Sequence, residues 1–334
     1  MEKESILVLG GTGFLGSWIV RELERRSVPV VVLCHHPESI PKSAGNTTSY
    51  LAGDCGDPES LRKAMAGCTG VIHAAAYYPL YSVGREHQAR HAILELRNVL
   101  MTAYECGVQR FVFTSSPMVL VKDPEAFRRC TYHYIKKLLH AEVLRWVDGH
   151  FPVVLAIPGA CFGPGDRKPT TGRLILEIAR RRLRFIVEGK ISAVDGRDVA
   201  SAEVEMLYRG TIGESYQLGN WNCMGSEFTA LVAELSGVPK PTVQVPYETI
   251  RLIARTVESI EYPFGISQPL IPESGFDQAH YGVHLDSSLA QRDLGFHPRP
   301  IEETIQETLQ YFQKEGMLSL GIHPPHHHGV SDRV

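Results

Sequence analysis

Tyr132 and Lys136 stand four residues apart at the head of a strongly helical stretch, Tyr132 to Val147, so a helix places them one turn apart on one face. A free phenol ionises near a pKa of about 10, too high for proton exchange near neutrality, and a neighbouring ammonium lowers that value by stabilising the phenolate. The pair therefore reads as an acid/base tyrosine with a lysine partner. The bare spacing would equally describe an aromatic core face beside an exposed lysine, so the flanking segments decide. Upstream, Arg110-Phe111-Val112-Phe113-Thr114-Ser115-Ser116 reads as a strand ending in hydroxyls. That brings Ser116 or Ser115 to a sheet edge, where a serine can hydrogen-bond a reacting oxygen.

A second constellation opens the chain. Gly10-Gly11-Thr12-Gly13-Phe14-Leu15-Gly16 follows the apolar run Ile6-Leu7-Val8-Leu9 and leads into a helical stretch, Leu15 to Arg26. Glycines between a strand and a helix let the backbone turn tightly and approach phosphates, while free N–H groups and the positive helix end face the anion. The loop reads as a dinucleotide cradle rather than a bare turn, and a bulky side chain at Gly13 would block the approach. The next strand ends Leu33-Cys34-His35-His36 with no acid to meet a ribose 2′-hydroxyl. That absence favours NADP over NAD, with His35 and His36 as contacts to a 2′-phosphate when protonated. Glu38, close behind, keeps NAD in play, and two exposed loop histidines are the plainer alternative. Gly53-Asp54-Cys55 after the third strand and Ala74-Ala75-Ala76 after the fourth continue the cradle, with Thr114 at the fifth strand's end. Asp54 can accept a hydrogen bond from an adenine amine, and the small alanines let a cofactor lie against the chain.

These residues need a scaffold that gathers strand ends along one edge. The first half supplies it by alternating short β-branched runs with longer amphipathic stretches, the pattern of buried parallel strands joined by crossover helices. Strands are expected at Ser5 to Leu9, Val28 to Cys34, Thr48 to Leu51, Gly70 to His73, Arg110 to Thr114 and Pro152 to Ile157. The fold class is α/β, a Rossmann-type doubly wound parallel sheet with a smaller, mostly C-terminal substrate lobe, and such sheets bind ligands at their strands' carboxyl ends. Residues 1–160 are expected to form the NAD(P)-binding domain, with later segments returning to it, and 161–320 mainly the substrate lobe. The tail, 321–334, reads as disordered. Beyond Gly163 the rhythm changes to Gly/Pro-rich joints between helical stretches such as Gly172 to Arg182, Phe228 to Ser236 and Ile301 to Glu315.

The bulk numbers bound the function. A chain of 334 residues, 43% hydrophobic, can bury a full core, and a net charge of -3 with 21% charged residues offers no basic field for nucleic acid. Seven cysteines without a CxxC pair read as buried thiols in a reducing compartment. The first residues fit neither a secretory signal nor a membrane span, so a cytoplasmic enzyme without nucleic-acid or membrane partners is expected. Arg180-Arg181-Arg182 with Arg184 could meet a substrate phosphate, but a solvated helix end explains them as well. A salt-bridged turn and helix cap accounts for Asp195, Arg197 and Asp198 as readily as a role at the lobe interface. The histidines 326–328 suggest only adventitious metal, and no metal site is expected.

Taken together, the glycine motif, Val71 to Ala76, Phe113 to Ser116, Tyr132 with Lys136, and Pro158 to Gly165 resemble the extended short-chain dehydrogenase/reductases, the NAD-dependent epimerase/dehydratase superfamily. Gly163-Pro164-Gly165-Asp166, Pro169 to Arg173 and Gly196 to Ala200 look most like its dihydroflavonol-4-reductase-like and hopanoid-associated sugar epimerase branches. The resemblance implies Tyr132 as acid/base, Lys136 as its electrostatic partner and ribose ligand, and Ser116 as donor to the carbonyl oxygen. It also implies that Pro158, Gly159, Ala160 and Cys161 border the nicotinamide, and that the protein forms a homodimer through the two helices flanking Tyr132. The chain departs from the family's pattern in a shortened Ser116-to-Tyr132 stretch and in reading Ala92-Ile93-Leu94-Glu95-Leu96 where many members have Asn-x-x-Gly-Thr. The expected activity is hydride transfer between NADPH and a carbonyl or secondary alcohol of a small molecule. A nucleotide-sugar epimerase or dehydratase with tightly held NAD, and a non-catalytic cofactor-sensing protein, are the alternatives.

Overall fold

Alternation of side chains along the strands builds the molecule from the inside. In a computed structural model, which describes residues 5–36, 38, 40, 47–75, 77–79, 81–266, 269 and 272–319, Ile6 and Val8 pack into one core and Leu7 and Leu9 into another on the opposite face of the sheet. Val112 against Phe111 and Phe113, and Val154 against Val153 and Leu155, divide in the same way. A strand buried on both faces cannot carry polar residues, which is why these segments read as continuous apolar runs.

In chain order the first elements are β1 (Ile6–Leu9), α1 (Phe14–Arg25), β2 (Val30–Cys34), β3 (Thr48–Ala52), α2 (Pro58–Met65), β4 (Gly70–His73), α3 (Arg85–Glu105), β5 (Arg110–Thr114), α4 (Pro124–Arg129), α5 (Thr131–Asp148) and β6 (Val153–Pro158). The six expected strands are all present, with ends shifted by at most two residues. Next come β7 (Ala160–Phe162), α6 (Arg173–Ala179), β8 (Phe185–Ile186), β9 (Lys190–Asp195), α7 (Gly196–Arg209), β10 (Ser215–Leu218), β11 (Trp221–Met224) and α8 (Gly225–Leu235). The chain closes with β12 (Val243–Gln244), α9 (Tyr247–Glu261), α10 (Glu273–His280), α11 (Ser288–Leu294) and α12 (Ile301–Lys314).

The central sheet is parallel throughout, in the order β10-β6-β5-β4-β1-β2-β3. Helices α1, α7 and α11 cover one face, and α2, α3 and α5 the other. The order reverses at β1, so the carboxyl ends of β1 and β4 flank the crevice where ligands of such sheets bind. A second core lies between α6, α8, α12 and the small sheet β11-β9-β7, with Phe162 stacked on Phe228 at 4.9 Å between ring centroids. The two parts are bolted by charge. Asp195, fully buried, caps α7 by accepting from the Arg197 N–H at 2.8 Å, and it also accepts from the Arg197 guanidinium and from Thr304 Oγ1 of α12. Burial pushes its carboxyl up, but the Arg197 hydrogen bonds outweigh that and hold it below the ordinary range.

None of the seven cysteines is in a disulfide; Cys34, Cys68, Cys130 and Cys223 are buried as expected, but Cys55, Cys106 and Cys161 are only partly so. Among the described residues no helix is long and apolar enough to cross a membrane. The tail 321–334 lies outside the described residues.

Glu203 of α7 is fully buried beneath the end of β5, and both its carboxylate oxygens accept from Thr114 Oγ1 at 3.0 Å. Burial pushes its pKa from 4.5 to about 8, against the opposing pull of the Thr114 hydrogen bond. The unfolded chain therefore releases this proton at lower pH than the folded one. Stability from the group is fully present below about pH 4.5 and is lost as the pH rises through about 8. Glu203→Gln, which keeps an acceptor for Thr114, should raise the melting temperature at pH 8.5 and change it little at pH 5; equal shifts at both pH values would show that Glu203 is ionised in the folded protein.

Candidate active site

The site grows from the junction of β5 with α5. Asp123 and Pro124 start α4, and Cys130 then opens α5 with its sulfur accepting from the His133 N–H at 3.3 Å. The first turn of α5 thus carries Tyr132, and the second carries Lys136, whose Nζ lies 5.3 Å from the centre of the Tyr132 ring. The short Ser116-to-Tyr132 stretch is filled by a 3-10 turn, Pro117–Leu120, and by α4.

The three hydroxyls at the end of β5 turn to different partners. Thr114 donates to Glu203. Ser115 Oγ shares a 3.1 Å hydrogen bond with His140 Nδ1. Ser116 Oγ accepts from the Met118 N–H at 3.3 Å and stands within hydrogen-bonding reach of the Tyr132 phenol. Of the two candidate serines, then, Ser116 shares the site with Tyr132. Tyr78, from the segment after β4, covers the phenol ring at 5.2 Å.

Burial dominates the electrostatics. It pushes the Tyr132 phenol above its ordinary range, with Ser116 opposing. It pushes Lys136, 3% exposed, down to about 8. Lys136 makes no hydrogen bond or ion pair with any described residue. His73, closing β4, is driven by burial, with the Lys136 charge adding to it, to about 4 and is neutral at physiological pH.

The glycine loop fits a pyrophosphate. Gly10 has φ +83°, and a Cβ there would stand 2.7 Å from the Ala75 nitrogen. At Gly16 a Cβ would meet the Gly10 carbonyl oxygen at 2.0 Å, so α1 can cross β1 this closely only with glycine. Gly11 is buried against Val32, while Thr12 and Gly13 face outward at the head of α1. That helix has no side-chain cap and no acid in its first turn, which leaves its positive end for an anion. Phe14 and Leu15 begin the helix, with Phe14 packed near Gly163 and Gly196.

At the ends of β2 and β3, His35 Nδ1 lies 2.7 Å from Asp54 Oδ2, and His36 Nδ1 lies 3.3 Å from Glu38. Asp54 also accepts from the Gly56 N–H at 2.6 Å. Cys55 is pushed up to about 12, chiefly by burial, and stays a thiol. Ala74 and Ala75 lie against Gly10, whereas Ala76 lies outside the described residues. Pro158 ends β6, Gly159 presses on the Ser192 carbonyl, and Ala160 and Cys161 open β7, with burial raising the Cys161 thiol. The polypeptide thus brings the strand-end residues to one edge, with Thr114 turned inward to Glu203. Among the described residues no group of three or more His, Cys, Asp or Glu is arranged to hold a metal.

Three residues were missed. His73 was legible only as the polar end of an apolar strand. Tyr78 lies in a stretch without periodicity. Glu203 sits among apolar neighbours in Val199 to Leu207, and an acid on that face is the signal that was there to be read.

The model of the NAD dependent epimerase/dehydratase family matches residues 6–219. A putative dihydroflavonol 4-reductase from Synechocystis sp. is 30% identical, over 94% of this chain and 96% of its own. Sterol demethylase protein B from Methylococcus capsulatus is 27% identical, over 93% and 99% respectively. The crystal structure of gox2253 superposes with a TM-score of 0.79 at 28% identity, covering 95% of this chain and 100% of that one. With more than half of its length matched, from β1 to the end of β10, this chain belongs to the NAD dependent epimerase/dehydratase family.

Proposed function

We propose that the protein is a reductase that uses NADPH to reduce the carbonyl group of a small molecule, with Tyr132 as the proton donor. The observation that carries this reading is a buried ammonium with no counter-ion among the described residues, one helical turn from a phenol beside Ser116. The cofactor, when bound in the glycine cradle, would supply the hydride. Ser116 donates a hydrogen bond to the carbonyl oxygen and holds it beside the phenol. Tyr132 transfers its proton to that oxygen as the carbon is reduced. Lys136 stabilises the phenolate left behind and orients a ribose hydroxyl. A phenol pushed above its ordinary range rests in the protonated form, which suits the reducing direction. The reductase name carried by the Synechocystis relative supports the same class.

For the cofactor, the relevant feature is that the carboxylates of Asp54 and Glu38 are each turned to a histidine. The end of β2 then presents imidazoles rather than a free acid to the ribose, which supports NADP over NAD.

Two outcomes test these statements. Tyr132→Phe should bind NADPH as the unaltered protein does and lose roughly two or more decades of kcat in a screen of aldehydes and ketones; undiminished turnover removes Tyr132 from the chemistry. In a fluorescence titration NADPH should bind several-fold more tightly than NADH. The reverse order, or NAD retained through purification, would overturn the NADP assignment.

A further inference from the structure

A cavity of about 510 Å³ lies where the head of α3, the end of α4 and helix α9 meet. Arg85, Arg128, Arg129, Arg251 and Arg255 line it, against two acids, Glu258 and Glu273. Guanidiniums gathered in one concavity repel one another unless negative charge answers them. The wall's own acids answer little of it. Glu258, 1% exposed, accepts from the N–H groups of Ser82 and Glu273 at 2.8 and 2.7 Å, and burial pushes its carboxyl up toward the neutral form. Glu273 pairs with Arg251 at 2.8 Å, and Arg251 also reaches Asp277 at 3.4 Å. Arg128 and Arg129 are turned to Glu125 and Glu248, while Arg85 lies over the Tyr134 ring with Glu86 3.5 Å away. The exposed guanidinium of Arg255 has no acid within ion-pair distance among the described residues.

Further donors converge on the same space. Helix α3, 21 residues long, begins at Gly84 with φ +71° and no side-chain cap, so its positive end is left for another acceptor. The acid in its first turn, Glu86, accepts from the Tyr134 phenol at 2.6 Å instead. Ser82 Oγ and Arg251 Nε are buried on the cavity wall and make no hydrogen bond with a described residue, and Arg251 as a whole is 8% exposed. Buried polar atoms are ordinarily satisfied, so two orphans facing one cavity point to a ligand or ordered water there. Guanidinium forks, a helix N-terminus and a hydroxyl together match a phosphoryl group, which brings three or more acceptor oxygens and up to two negative charges. A carboxylate brings two oxygens and one charge, fewer than these donors can use.

We propose that this cavity is a binding site for a phosphoryl anion, a phosphate ester or a diphosphate, held by Arg255 and Arg251 with Ser82 and the head of α3. Such an anion ties α9 to the segment that carries Tyr78 over the Tyr132 ring. It also bears on the first turn of α5, because Thr131 Oγ1 donates to the Ser82 carbonyl at 3.1 Å and Thr131 immediately precedes Tyr132. The same chemistry has two sources. Leu252, Ile253 and Ile260 are exposed along α9, so a phosphate borne by a lipid would find an apolar face on the helix that carries Arg255, whereas a soluble phosphate compound needs only the arginines.

Calorimetric titration of the full chain with inorganic pyrophosphate, in saturating NADPH so that the glycine loop is filled, should show saturable binding. Arg255→Gln, at an exposed position that leaves the core intact, should weaken it by about tenfold or more. Arg292→Gln, the same loss of charge at an exposed position on α11, should leave it unchanged. Sedimentation with phosphatidylcholine vesicles, with and without phosphatidic acid, separates the two sources. Attachment that needs phosphatidic acid and is lost in Arg255→Gln assigns the phosphate to a lipid headgroup; pyrophosphate binding without attachment assigns it to a soluble compound. Neither probe binding, or equal binding by the unaltered protein and Arg255→Gln, overturns the proposal. Because the comparison of those two proteins reads this cavity whatever occupies the glycine loop, its failure leaves the Tyr132 chemistry to the Tyr132→Phe kinetics.

Discussion

An ammonium kept out of water and paired with no carboxylate among the described residues is the constraint on which the site depends. Removing a charge from solvent costs several kcal/mol unless something replaces the lost water. At Lys136 the replacements are weak ones, the face of the Tyr132 ring at 5.3 Å and a cavity wall that is largely apolar. The consequence is mutual. Lys136 holds its proton less firmly than a surface lysine and keeps His73 from becoming a second cation, while the same burial disfavours a negative charge on the phenol.

Such an arrangement survives only on a rigid support. Helix α5 is fixed by Ile135, Leu139 and Val143 in the core shared with α3, and by the fork of Arg97 donating to both oxygens of Glu142 at 2.8 and 2.9 Å. Its first turn is held from the other side. Tyr247 of α9 donates to the fully buried Asp277 of α10 at 2.8 Å, and Tyr247 and Tyr281 pack with Met118, Ala126 and Cys130. At the end of β1 the backbone approaches closely at Gly10 and Gly16, where even a methyl group would collide with main-chain atoms.

Much of this was legible in the sequence because it rests on local pattern. Strands buried on both faces announce themselves as apolar runs, and β4 and β5 fall on the expected residues. The glycine spacing between β1 and α1, and Tyr132 with Lys136 one turn apart, are likewise local. What lay beyond reach depends on contacts between residues far apart in the chain. Glu203 meets Thr114 across 89 positions, Thr304 meets Asp195 across 109, and no periodicity encodes either. The three hydroxyls of Thr114, Ser115 and Ser116 look equivalent in sequence; only the placement of α7 and α5 sends them to Glu203, His140 and Tyr132 respectively.

The central claim, that the Lys136 charge sets the acidity of the Tyr132 phenol, is open to direct measurement. The phenol resonance of Tyr132 in tyrosine-labelled protein saturated with oxidised cofactor would be titrated in the unaltered chain and in Lys136→Met. The account predicts that the phenol ionises at a lower pH in the unaltered protein than in the variant. The same titration in both proteins would contradict it.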